Sequence, residues 1–84
     1  MKQVGIHYAK LEKSPRLQRM LDFLRERGHR GATTREIIEC ADICAVGTSA
    51  DELRCNGFNV TCDFEGQTIS KSKIFRYRLI EAND

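Results

Sequence analysis

Four cations fall within eight residues near the end of this 84-residue chain: Lys71, Lys73, Arg76 and Arg78. Gln67, Thr68, Ser70 and Ser72 lie among and just before them. Ammonium and guanidinium groups supply most of the sequence-independent affinity for a nucleic-acid duplex. Hydroxyl and amide donors add hydrogen bonds to phosphate oxygens. Basic side chains on an exposed hairpin also keep its edge from pairing with other chains. Phosphate contact is the favoured reading, because cationic side chains dominate duplex affinity.

Other reactive side chains are less suggestive. Cys40, Cys44, Cys55 and Cys62 are separated by three, ten and six residues, with no Cys-x-x-Cys knuckle to present two thiolates to zinc. They read as free thiols in a reducing compartment, buried as small hydrophobes, although Cys40 and Cys44 are spaced to share a helical face. His7 and His29 stand apart, without an HxH or HExxH arrangement, and read as solvated side chains. There is no glycine-rich phosphate loop, no outstanding carboxylate pair and no nucleophile with its base. Neither an enzyme nor a cofactor is expected.

Fourteen Lys and Arg against twelve Asp and Glu leave a formal charge of +2. That total is too small to indicate a polyanionic partner, so the placement of the charges must decide. The length suits one domain with a modest core and much free surface. No apolar run could span a bilayer and no apolar stretch opens the chain, so a cytosolic location is expected.

The elements that must carry these residues can be read in order. Residues 1–13 form an arm or short strand, with Val4, Ile6 and Tyr8 alternating and Lys2, Lys10 and Lys13 adding charge. The domain proper covers residues 14–82. Ser14-Pro15 starts a helix whose Leu17, Met20, Leu21 and Leu24 make a core stripe, and Gly28 stops it. The stretch from Gly28 to Ala32 allows a connector or a single ladder pair. Thr33 and Glu36 have capping-box spacing, so a second helix starts near Thr34 with Ile37, Ile38 and Ala41 inward. After the turn 42–45, a third helix carries Val46, Ala50 and Leu53 inward and stops at Asn56-Gly57. Its outer side is read as Gly47, Thr48, Asp51, Glu52 and Cys55. Two alternating strands follow, around Phe58–Phe64 and Ile74–Ile80, with a long polar connection from Glu65 to Lys73. The order is helix, turn, helix, hairpin, an α+β chain.

The runs Thr33-Thr34-Arg35-Glu36-Ile37-Ile38, Ala45-Val46-Gly47-Thr48, Glu52-Leu53-Arg54-Cys55-Asn56-Gly57-Phe58 and Phe75-Arg76-Tyr77-Arg78-Leu79 resemble small winged helix-turn-helix proteins of bacteriophage and prophage origin. The resemblance covers residues 14–80. It implies three helices plus a C-terminal β-hairpin wing, with the third helix in the major groove and the wing on backbone or minor groove. By position, Thr48, Ser49, Glu52 and Arg54 would lie on or beside the groove-facing helix, and Lys71, Lys73 and Arg76 on the wing. Thr33, Thr34 and Arg35 are placed for phosphate contact at the start of the second helix. Glu52 could accept from a cytosine amino group and Thr48 could touch a thymine methyl.

The expected function is occupancy of double-stranded DNA that regulates transcription, replication or recombination. A homodimer would engage two half-sites, through Ile74, Ile80 or residues 1–13. Against this, Asp51 and Glu52 are acidic where phosphates would repel them. With Asp63, Glu65 and the near-neutral total, they motivate an alternative: a module that binds or inhibits a host or phage protein.

Overall fold

The computed structural model describes residues 8–81. Residues 1–7, with Val4, Ile6 and His7, lie outside the described residues, as does residue 82. Of the expected arm, residues 11–13 form a single 3-10 turn, Leu11–Lys13, instead of a strand.

Helix α1 (Pro15–Arg27) begins as its first residues require. The Ser14 hydroxyl accepts from the Leu17 amide at 3.2 Å, and Pro15 occupies a position that needs no amide partner. Leu17, Met20, Leu21 and Leu24 are all buried. A second 3-10 turn, Gly28–Arg30, leads into strand β1 (Ala32–Thr33). The chain then turns at once into α2 (Thr34–Ala41), where the expected capping box is present in both directions. Asp42 ends that helix in the left-handed region at φ 57. Helix α3 (Val46–Cys55) follows after a short turn, and then strands β2 (Asn59–Gln67) and β3 (Lys73–Ile80).

Among the described residues these elements make an α+β domain of three helices and one three-stranded antiparallel sheet, in the order β1-β3-β2. One face of the sheet contributes Val60, Tyr77 and Leu79 to the core; the helices close it with the α1 stripe and with Ile37, Ala41, Ile43, Val46, Ala50 and Leu53. The short connector between the first two helices therefore supplies a ladder: Ala32 faces Tyr77 and Thr33 faces Arg76.

Four expectations are corrected. The polar connection of the hairpin is shorter than Glu65 to Lys73, because β2 runs to Gln67 and β3 starts at Lys73. A bulge between Phe64 and Gly66 absorbs the extra residue. Ile38 is 42% exposed, since Ile37 and Ala41 alone fill the inward stripe of α2. The four cysteines are exposed, because larger aliphatics occupy the interior. Phe64 is 58% exposed: it continues the alternation of β2 past the helices and meets Phe75 at a ring separation of 5.6 Å.

Gly31 is the residue that lets β1 reach the sheet. Its φ is +61°, and a Cβ there would run into the Tyr77 carbonyl oxygen and the Arg78 side chain. Gly31→Ala should cost about 2–3 kcal/mol, combining a strained backbone with a collision against β3. Denaturant unfolding at fixed pH checks this, and a loss below about 0.5 kcal/mol, the range of an ordinary surface change, would refute the close approach.

Candidate nucleic-acid interface

The hairpin ends in a compact loop. The Thr68 amide donates to the Ser72 carbonyl at 2.9 Å, and the Lys71 amide donates to the Thr68 carbonyl at 2.9 Å. The Ser72 amide donates to Thr68 Oγ1 at 3.2 Å. Lys71 completes the turn at φ 69. Lys71 and Lys73 are both exposed and have no ion pair among the described residues.

Arg76 and Arg78 belong to the opposite face of β3 from Tyr77 and Leu79, and there they are neutralised. Arg76 donates to Glu65 at 2.7 Å and to the Arg30 carbonyl at 2.9 Å, with Glu36 at 4.0 Å. The Glu65 hydrogen bond is the main reason its guanidinium is held even more firmly protonated than usual. Arg78 donates to the His29 carbonyl at 2.9 Å and to Asp63 at 3.0 Å. Arg76, expected as a wing contact, serves here as an internal strut between the hairpin and the Gly28–Arg30 turn.

At the start of α2, the Thr33 hydroxyl accepts from the Glu36 amide at 3.2 Å, and Glu36 accepts from the Thr33 amide at 2.9 Å. The Thr33 amide bond is the largest cause of the lowered Glu36 pKa, with the charges of Arg27 and Arg76 adding to it. Arg35 points away from this box; its side chain is 79% exposed and only 4.0 Å from Glu39. Thr33, Thr34, Arg35, Ile38 and Glu39 form one wall of an open groove of about 460 Å³, and Thr68, Ser72, Lys73 and Ile74 form the other. The sequence-predicted residues Thr33, Thr34, Arg35 and Lys73 are thus brought together.

Helix α3 separates its predicted readers. Thr48 is exposed. Ser49 is fully buried and accepts from Arg16 at 2.6 Å, because it stands three residues after Val46 and four before Leu53, on the inward stripe. Glu52 is corrected too. Its side chain is 16% exposed, its Oε2 accepts from the Ala9 amide at 3.1 Å, and its Oε1 lies 2.8 Å from Arg16. Oε1 receives no aligned hydrogen bond, so the Arg16 charge is what compensates its burial. Asn56, one turn on, accepts from the Leu11 amide at 3.0 Å and donates to the Ala9 carbonyl at 2.9 Å. Ser49, Glu52 and Asn56 therefore clamp residues 9–11 and α1. Their spacing of three and four was the sequence signal for one shared face. Arg54 is partly occupied, donating to the Val60 carbonyl at 2.8 Å and to Asp51 at 2.5 Å. What α3 leaves exposed is Gly47, Thr48, Asp51, Arg54 and Cys55.

Among the described residues no three His, Cys, Asp or Glu side chains are grouped to hold a metal ion, and no helix is long and apolar enough to cross a membrane. No family model, curated protein or solved structure matches this chain.

The Glu52 pKa is lowered, chiefly by the Ala9 amide and then by Arg16. A depressed carboxyl contributes stability that is present above its unfolded value of about 4.3 and is lost as pH falls through the lower folded value. Glu52→Gln should therefore destabilise the protein at pH 7 and flatten the loss of stability below about pH 4.3. Glu52→Ala should cost about 1–3 kcal/mol, since it leaves the Ala9 amide without its acceptor and Arg16 without its carboxylate. Urea unfolding at a series of pH values tests both, and an unchanged midpoint would return Glu52 to the surface.

Proposed function

We propose that this chain is a winged helix-turn-helix protein that binds double-stranded DNA and regulates transcription, replication or recombination by occupying its site. The order α1-β1-α2-α3-β2-β3, with β1 laid on β3, supports the winged reading: α2 and α3 are joined by a tight turn and the β2–β3 hairpin follows them in the order a wing requires. The resemblance to bacteriophage and prophage proteins points the same way.

The observation that carries the proposal is the state of the cations. Lys71 and Lys73 remain exposed and, among the described residues, without an ion pair, and Lys73 shares a groove with Arg35 from the first turn of α2. Those three would hold phosphates, with Thr34 beside them, while α3 enters the major groove. There Thr48 offers a methyl for thymine and Asp51 an acceptor for a cytosine amino group, held in place by Arg54. With so few base-reading groups, affinity would come mainly from the backbone and selectivity would be weak. A homodimer would raise both by engaging two half-sites.

Binding of a pooled random duplex library, titrated with salt, tests this. Association should be detectable at low salt, and the slope of log K against log salt should shrink by about 0.9 for each of Lys71→Ala, Lys73→Ala and Arg35→Ala. Arg76→Ala should act on stability, with the slope retained. Absence of any association at low salt, where counterion release favours it most, would end the proposal.

A further inference from the structure

We infer that the groove beside α2 receives an extended peptide segment of a protein partner, apolar at its centre and acidic at its flanks, added as a strand to the edge of β3. Strand β1 covers β3 only at Tyr77 and Arg76, because the chain leaves the sheet after Thr33 and becomes α2. Strand β3 begins at Lys73, so, among the described residues, 73–75 have no strand beside them on that side. Such a bare stretch is a template for another strand, with main-chain hydrogen bonds giving affinity and alternate side chains giving specificity.

The wall that faces this edge is formed for a side chain. Ile38, 42% exposed, and the half-buried Ile74 line the same groove, and the space of about 460 Å³ falls within the roughly 300–1,000 Å³ of ordinary ligand sites. A lone exposed isoleucine means little; Ile38 lining one groove with the half-buried Ile74, beside a strand edge left open among the described residues, favours an apolar occupant. A phosphodiester chain would gain nothing from that floor. The rim sets the charge of the partner. Among the described residues Lys73 has no ion pair, Arg35 is held only by Glu39 at 4.0 Å, and Glu39 is the one carboxylate lining the groove. The balance attracts acidic groups on either side of the apolar one. Resting on the proposed DNA reading, the occupant would cover Arg35 and Lys73, so peptide and duplex would exclude each other. The partner would then control when the protein is on DNA.

The test is a titration of isotope-labelled full-length protein with a capped heptapeptide alternating glutamate with isoleucine and valine, followed by backbone amide spectra in the absence of DNA. Saturable shifts should concentrate at residues 73–75 and 33–39. Affinity should fall at least roughly tenfold on N-methylation of alternate peptide amides, on Ile38→Gln and on Lys73→Glu. Lys73→Glu lies at an exposed position and keeps the test open should Ile38→Gln disturb folding. No saturation at millimolar peptide, or binding indifferent to N-methylation, would overturn the inference. A labelled duplex in a second titration separates the two readings: peptide binding with no duplex binding removes the DNA proposal and leaves the groove intact, while simultaneous binding of both removes the exclusion alone.

Discussion

The pairing of Ala32 and Thr33 with Tyr77 and Arg76 fastens the hairpin to the helical body, and most of the surface geometry follows from it. Gly31 can approach the Tyr77 carbonyl only because it has no side chain, and Thr33 passes directly from ladder to helix cap. Since the same residue ends β1 and caps α2, the start of that helix is fixed beside β3. The groove between them exists because the ladder stops after two residues and β3 does not. Its cations, its apolar floor and its open strand edge are consequences of one early departure from the sheet.

Charge in this molecule is largely used to hold parts together. Arg78 reaches Asp63 and Arg76 reaches Glu65, each between neighbouring strands, and both guanidinium groups also hold carbonyls of the Gly28–Arg30 turn. Exposed pairs of this kind contribute little energy singly. As a linked set they orient the hairpin with respect to the body. Arg16 and Glu52 do the same at the other end, tying α1 and residue 9 to α3. The net charge of +2 therefore describes the surface poorly: Lys71, Lys73 and Arg35 remain available to a partner while Arg76 and Arg78 are committed internally.

Local chemistry was legible. Ser14-Pro15, the Thr33 and Glu36 box, and the stripes of α1 and α3 all depend on residues within a few positions of one another. They appear as read. Ile38 was misplaced because periodicity gives a direction on a helix and not the number of positions the core can fill; the cysteines were read as buried from residue type, and larger aliphatics fill the interior instead. Glu52 was assigned to the outer side by helical rotation, and the resemblance put Ser49 on or beside the groove-facing helix. A hydroxyl and a carboxylate can lie inward when an arginine from another helix meets them.

The sequence by itself determined the order of the helices and strands and where the three α-helices begin, because caps, glycine stops and hydrophobic period act through near neighbours. Tertiary structure alone decided which basic side chains are free, since the partners of Arg76 lie 11 and 46 positions away along the chain and meet it only across the sheet. It also decided that Ile38 and Ile74 share a groove. Long-range juxtaposition is set by how the core packs, and no local pattern carries that information.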